Sequence, residues 1–295
     1  MSETAGLSPV TFFTLASADP LRIAAILLTT GWYLWAVRRL RSRGRQWPWQ
    51  RTASFLLGEL VLAASLLSGI ATLAQVSFFD HIIGHIGLAM LAPFFLVMSA
   101  PVTLLLQSGS QRVQSAGLKV IHGPVGKVAA SPLVTWPLYG GSLFVLYFTG
   151  LYAHSLTDTT VQQLVHLELV LTGCLFFWPV IAVDPVPRRL NYGIKILYLM
   201  LALPVYTVLG MALESQTTPI APGISLADLH AGAALLWVSG EAVGLIGAIV
   251  VFIMWLRADE RQARRNDGMN EEAAARQLAL WRATRDAAAR AASAP

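Results

Sequence analysis

The sequence predicts an all-α polytopic membrane protein: a seven-transmembrane helix bundle with its N-terminus outside and its C-terminus in the cytoplasm. Three observations predict it. The chain of 295 residues is 55% hydrophobic and only 13% charged, where a soluble domain carries about 25% charged residues. Seven runs approach the roughly 20 apolar residues that cross a bilayer. Lys and Arg gather in every second loop, which is the signature of cytoplasmic loops.

The spans follow in order. Residues 1–20 contain no Lys or Arg, so the first run, 21–37, lacks the basic flank of a cleaved signal peptide and is read as a permanent helix. The others are 55–75, 82–98, 133–150, 164–183, 194–213 and 231–256. The first and third are short, and each is expected to extend into its polar flank. Arg38, Arg39, Arg41, Arg43, Arg45 and Arg51 separate runs one and two. Arg112, Lys119 and Lys127 separate three and four; Arg188 and Arg189, with Lys195, separate five and six; eight arginines follow the seventh. The alternate loops, 76–80, 151–163 and 214–230, contain none, and only Arg22 stands on their side. The organisation expected is an external N-terminal segment (1–20), a seven-span membrane domain (21–256) and a cytoplasmic basic helical tail (257–295). A lone cysteine, Cys174, excludes an internal disulfide.

Depth then sorts the histidines. His81 and His85 open the third span, His154 is in the loop after the fourth, His166 lies about one turn into the fifth, and His230 stands at the entrance of the seventh. Five of six histidines thus meet at the outer face, with Asp80, Asp158, Glu168 and Asp228 at the same level; only His122 is cytoplasmic. Residues i and i+4 share a helix face about 6 Å apart, so His81 and His85 can aim at one point. Imidazole suits copper, zinc, iron and nickel, His166 or His230 is the candidate third ligand, and nearby acids would orient the rings. A single interfacial histidine more often just hydrogen-bonds headgroups or backbone, but convergence from four parts of the chain favours a site. His85 and His166 on facing helices are an alternative pair of haem ligands. Copper transport would need ligands through the bilayer, and only Met98, Cys174 and Glu241 lie deeper.

Glu241 lies eleven residues beyond His230, about 16 Å along the helix; a carboxyl so deep marks either a relay or a hydrogen-bonded support. Glu59 reads as structural, the methionines as packing, and Pro93, Pro101, Pro179 and Pro204 as bends. No Walker loop, dinucleotide fingerprint or HExxH motif occurs, so nothing argues for an enzyme. In the tail, Asn270 before Glu271 and Glu272 reads as a helix start. Leu278 and Trp281 give a short apolar face suited to the anionic inner leaflet. No nucleic acid is needed to explain the arginines.

Several segments together resemble one family. "HIIGHIGLAMLAPFFLVMSAP", "HLELVLTGCLFFWPVIAVDPVPRRLNY" and "DLHAGAALLWVSGE" are similar, in order and spacing, to the CtaG family of cytochrome c oxidase assembly factors, over residues 20–265. The resemblance implies a bacterial inner-membrane protein that helps mature a copper-containing oxidase, with an oxidase subunit or assembly intermediate as partner and a periplasmic copper donor. By position the family's motif residues are His81, His85, His166, Trp178, Asp228, Gly232, Trp237 and Glu241. The chain departs at "DLH", where Leu229 replaces an amide and His230 is added. The expected site is copper on His81, His85, His166 and His230, with Asp80, Asp228, Glu241, Trp178 and Trp237 in support; a metal-free scaffold for oxidase subunits is the other reading.

Overall fold

The computed structural model of the chain describes residues 7–181 and 183–292, so parts of the expected external segment (1–6) and tail (293–295) lie outside the described residues. Among the described residues every regular element is helical. The chain divides into two units, Met1–Ala248 and Ile249–Pro295.

In chain order the helices are α1 (Pro9–Thr14), α2 (Pro20–Ser42), α3 (Trp49–Leu67), α4 (Gly69–Leu73) and α5 (Phe78–His85), a π segment (Ile86–Leu91), and α6 (Ala92–Met98). They continue with α7 (Pro101–Ser108), α8 (Gln111–His122), α9 (Pro124–Ala129), α10 (Pro132–Phe148), α11 (Leu151–Ser155), α12 (Thr159–Ile181), α13 (Tyr192–Glu214) and α14 (Leu226–Ala292). Among the described residues five stretches are long and apolar enough to cross a membrane: α2, Phe78–Met98, α12, α13 and the first part of α14. The two other expected spans correspond to α3, which is 19 residues long with Arg51 and Glu59 inside it, and to α10, which has 17 residues. As anticipated, the first and third spans extend into their polar flanks, to Pro20–Ser42 and Phe78–Met98. The second is shorter than expected, because Ser68 has extended backbone and its hydroxyl caps α4 at Ile70.

The middle of the bundle is the α5–π–α6 rod. Of its most apolar window 61% is buried, against 17% for α2. Pro93 has no N–H to give the carbonyl four residues back, and the rod answers by slipping into π register, with the Ala92 N–H on the Gly87 carbonyl. The carbonyl four residues before Pro93, that of Ala89, accepts from the Tyr139 hydroxyl at 3.3 Å, and Tyr139 in turn accepts from Tyr206 at 2.6 Å. Glycines let neighbours close in. A Cβ at Gly173 of α12 would overlap the Ala89 carbonyl and Pro93, and one at Gly87 would overlap the Ser65 side chain of α3.

At the arginine-rich end of α2 and α3, Tyr33 stacks on Phe55 at 3.8 Å, donates to the Ser99 carbonyl at 3.0 Å, and accepts from the Trp47 indole at 3.3 Å. The next residue, Ala100, takes a left-handed conformation (φ 55°) and turns the chain into α7. Asp184, from the segment after α12, caps α7 by accepting from the Val102 N–H (3.1 Å), the Thr103 N–H (2.6 Å) and the Thr103 hydroxyl (2.6 Å). Burial pushes the Asp184 carboxyl up from its ordinary value, although these donors pull it down.

Within the second unit, the expected helix start at Asn270 is not a start: the helix runs on from Leu226 to Ala292 without interruption. Glu271, Glu272 and the alanines that follow Asn270 are good helix formers, and the helix also runs through the weaker Asn266, Asp267 and Gly268 before it. Leu278 and Trp281 are exposed, and an Arg276–Glu272 pair at 3.4 Å is the i, i+4 contact of a solvated helix.

The close contact at Gly173 gives a first prediction. Gly173→Val should cost about 1–3 kcal/mol through overpacking, seen as a lower midpoint in thermal unfolding of the detergent-purified protein. Gly31→Ala, where nothing lies within 4 Å, should leave the midpoint within about 0.5 kcal/mol of wild type.

Candidate functional site

The start of α5 is held from outside the helix. The Ser77 hydroxyl accepts from the Asp80 N–H at 3.2 Å. Asp228, in the first turn of α14, then takes the remaining donors: the Phe78 N–H at 2.5 Å, the Phe79 N–H at 3.2 Å and the Ser77 hydroxyl at 3.1 Å. A carboxylate here satisfies orphan amides and opposes the positive end of the helix dipole. One turn on, Gly232 lies so close to Phe78 that a Cβ would overlap the ring. α14 therefore clamps the origin of α5, and the clamp fixes where the next turn carries its histidines.

His81 and His85 face the same way. Together with His166 of α12 they line a cavity of about 20 Å³, room for about one water or one ion. Ser65, Gln75, Ser155 and Gln162 supply further polar wall. His81 is buried, with Nε2 at 3.3 Å from the Tyr147 hydroxyl, and its ring meets Tyr152 edge-on at 4.6 Å. His85 is 1% exposed, and neither of its ring nitrogens has a hydrogen-bond partner; the same holds for His166 Nδ1 and the Tyr152 hydroxyl. Buried polar atoms are almost always paired, so an imidazole orphaned at both nitrogens beside a cavity is an anomaly that an occupant would resolve. Among the described residues no group of three His, Cys, Asp or Glu side chains closes into a metal cage. The imidazoles share a cavity, then, without converging as a formed ligand set.

The other expected site residues divide into two groups. Asp80 and Asp228 lie at the α5 start, Asp80 buried in the first turn and Asp228 as the cap just described. His230 does not line the cavity. Its Nε2 sits 3.1 Å from the Gln216 carbonyl, which can only accept, so Nε2 carries a hydrogen and Nδ1 is left as the possible lone-pair atom. Deeper along α14, Trp237 packs on Gly210 and Glu241 accepts from the Thr207 hydroxyl at 3.0 Å. Glu241 thus has the hydrogen-bonded contact that one reading anticipated. Trp178 has a buried indole N–H without a partner and lines no part of the histidine cavity. His154 and His122 are exposed.

The sequence reading missed Tyr147 and Tyr152, and with them Ser65, Gln75 and Gln162 of the cavity wall. Aromatic residues at a span's end read as an interface belt. The turn at Gly150 (φ 77°) instead folds α11 back so that Tyr147 and Tyr152 meet His81. The trans cap gives a second prediction. Asp228→Ala should cost about 0.5–2 kcal/mol, the usual loss for a helix cap, with Asp228→Asn nearer wild type; thermal unfolding of the two variants in detergent checks it.

Comparison with known proteins supplies the family. Residues 31–258 match the model of the cytochrome c oxidase caa3 assembly factor family, Caa3_CtaG. An uncharacterized protein of Mycobacterium leprae is 32% identical over 282 residues, covering 88% of this chain and 42% of the relative. An uncharacterized protein of Mycobacterium bovis is 28% identical over 262 residues, 83% of this chain and 40% of its own length. The chain therefore spans about two fifths of the curated relatives it matches. No solved structure matches. With its family model matched from residue 31 to 258, the chain belongs to the Caa3_CtaG family of cytochrome c oxidase assembly factors.

Proposed function

We propose that this protein assists assembly of a copper-containing cytochrome c oxidase in the bacterial inner membrane, handling copper as cargo at the outer face. The observation that carries the reading is His85: a buried imidazole with both nitrogens unpartnered, on a cavity shared with His81 and His166. Imidazole nitrogens suit copper. Ligands that share a cavity without forming a closed cage suit cargo that must leave again. Asp228 of α14, beside Asp80 in the first turn of α5, sets the origin of the helix that carries two of the three rings. His230, with Nδ1 as its possible lone-pair atom, is a docking point on the approach. Glu241, held by Thr207, is a buried support. The client is an oxidase subunit or assembly intermediate, and the copper comes from a periplasmic donor.

Seven spans with the N-terminus outside accommodate this reading. α3 and α10, at 19 and 17 residues, fall within the roughly 17–25 residues that cross a bilayer, and the loop arginines then share one side. The histidine cavity opens at the other end. A cavity of about 20 Å³ favours an ion over a haem, which needs a site of several hundred Å³.

Metal content after anaerobic copper(I) loading of the detergent-purified protein tests the site. Wild type should retain about one copper per chain, and His81→Ala/His85→Ala should lose it. Retention in neither would remove the copper site and leave the metal-free scaffold. Topology has its own check, in a Cys174→Ser background. An impermeant maleimide should label Thr157→Cys in cells whose inner membrane is intact, and Ser115→Cys only after that membrane is broken.

A further inference from the structure

Beside the histidine cavity runs a much larger one, about 670 Å³, between α2 and α12 with α3 behind it. α2 packs on α3 and α7, whereas α12 packs on α6, the π segment and α10. The two flanking helices therefore leave a lateral opening, walled by Ile26, Leu62, Leu66, Leu164 and Leu167. At one end the opening is tied shut. The Arg22 guanidinium donates to Gln162 Oε1 at 2.9 Å and to the Leu66 carbonyl at 3.1 Å, and pairs with Asp19 at 3.1 Å. Gln163 Nε2 reaches the same carboxylate at 3.5 Å. These contacts roof the groove from α2 to α12.

One polar group stands in the apolar wall below the roof. Glu59 is 6% exposed, lines the groove, and has no partner at Oε2. It lies seven residues from Leu66, about 10 Å down α3. Thr29 is its one hydrogen-bonding neighbour among the described residues, and that hydroxyl is shared with the Ala25 and Ile26 carbonyls at 2.9 and 3.1 Å. A carboxyl so placed in a membrane protein needs a donor, and the chain supplies none at Oε2.

We propose that this groove binds a membrane-dissolved, single-chain amphiphile whose head donates a hydrogen bond to Glu59, a long-chain alcohol or phenol, with its tail along α2, α3 and α12. Three features select that occupant. The volume lies within the roughly 300–1,000 Å³ of small-ligand sites, far below what a helix 10–12 Å across and about 30 Å long displaces. The roof of Arg22, Asp19, Gln162 and Gln163 bars a continuous transmembrane segment but leaves the side open to the bilayer. A phospholipid would fill the apolar wall with acyl chains and leave the Glu59 oxygen unpaired. The proposal stands apart from the copper reading, since the two rest on different cavities that share only His166 on their walls and Gln162, which lines the smaller one and holds the roof of the larger.

Trp32 lines the groove and provides a reporter among the chain's nine tryptophans. The full chain in detergent is titrated with a dibrominated octadecanol, with its methyl ether, and with a dibrominated phosphatidylcholine, while tryptophan fluorescence is followed. The alcohol should quench saturably, and Trp32→Phe should remove that component. Its half-saturation should lie about tenfold below that of the ether, the worth of one hydrogen bond. Glu59→Leu should abolish the preference, while Glu59→Gln, which keeps an acceptor, should preserve most of it. Leu164→Trp should block binding with Glu59 untouched. Equal quenching by alcohol and ether would overturn the proposal. So would equal quenching by the phospholipid, which would assign the groove to bulk lipid, or the absence of a Trp32-dependent component, which would leave it to a partner or closed.

Discussion

The rest of the structure depends on how the α5–π–α6 rod accommodates Pro93. In a bilayer a backbone carbonyl has no water to turn to, so a proline in a buried span must be answered by the protein itself. Here the answer comes in two parts. The rod shifts into π register from Ile86 to Leu91, and Tyr139 reaches across from α10 to the Ala89 carbonyl. Each part constrains something else. Tyr139 is engaged by Tyr206 of α13, which ties three helices through one hydroxyl pair, and Gly173 is required on α12 because that helix lies on the same carbonyl. The π segment begins directly after His85. Its altered register therefore separates the turn that presents the histidines from the turns that pack on α3 and α12.

A second device recurs at both ends of this rod. The helix that starts it, α5, and the helix that follows it, α7, are each capped by an aspartate from a distant part of the chain: Asp228 for α5 and Asp184 for α7. Caps normally come from the residue just before a helix. A cap delivered from far along the sequence also acts as a tertiary link, because the carboxylate is satisfied only when both elements are in place. The two aspartates thus fix the ends of the rod against segments from later in the chain, and the histidine turn lies within the stretch so fixed.

Much of this was legible in the sequence, and the limits have physical reasons. Helix-forming apolar runs and the clustering of arginines mark the elements, because hydropathy and charge are properties of composition. The His81/His85 pair was legible because i, i+4 spacing is local geometry. That His166 joins them while His230 bonds to the Gln216 carbonyl depends on how helices are ordered around the bundle, which no local pattern encodes. Asp228 stood out as an acid near the histidines, but its action through amides at Phe78 and Phe79 did not. Glu59 read as structural because an isolated acid in an apolar run gives no hint of whether it faces a helix or a groove. The tail misled in the opposite way: Asn270 has the chemistry of a helix start, yet α14 runs straight through it and through the weak helix formers Asn266, Asp267 and Gly268.

His166 joins these strands. It is the one histidine that lines both the small cavity and the large groove, and its Nδ1 has no partner. Its helix, α12, faces the rod at Gly173 and faces α2 across the groove at Gln162 and Gln163. The roof contacts at Gln162 and Gln163 lie three to four residues, about one turn, from His166 along the same helix. The ring that faces His81 and His85 and the glutamines that roof the groove thus stand on one helix, so that any change in the spacing of α2 and α12 would reach both. Were a metal held by these rings, a small shift would matter, because metal–nitrogen distances tolerate only about 0.2 Å.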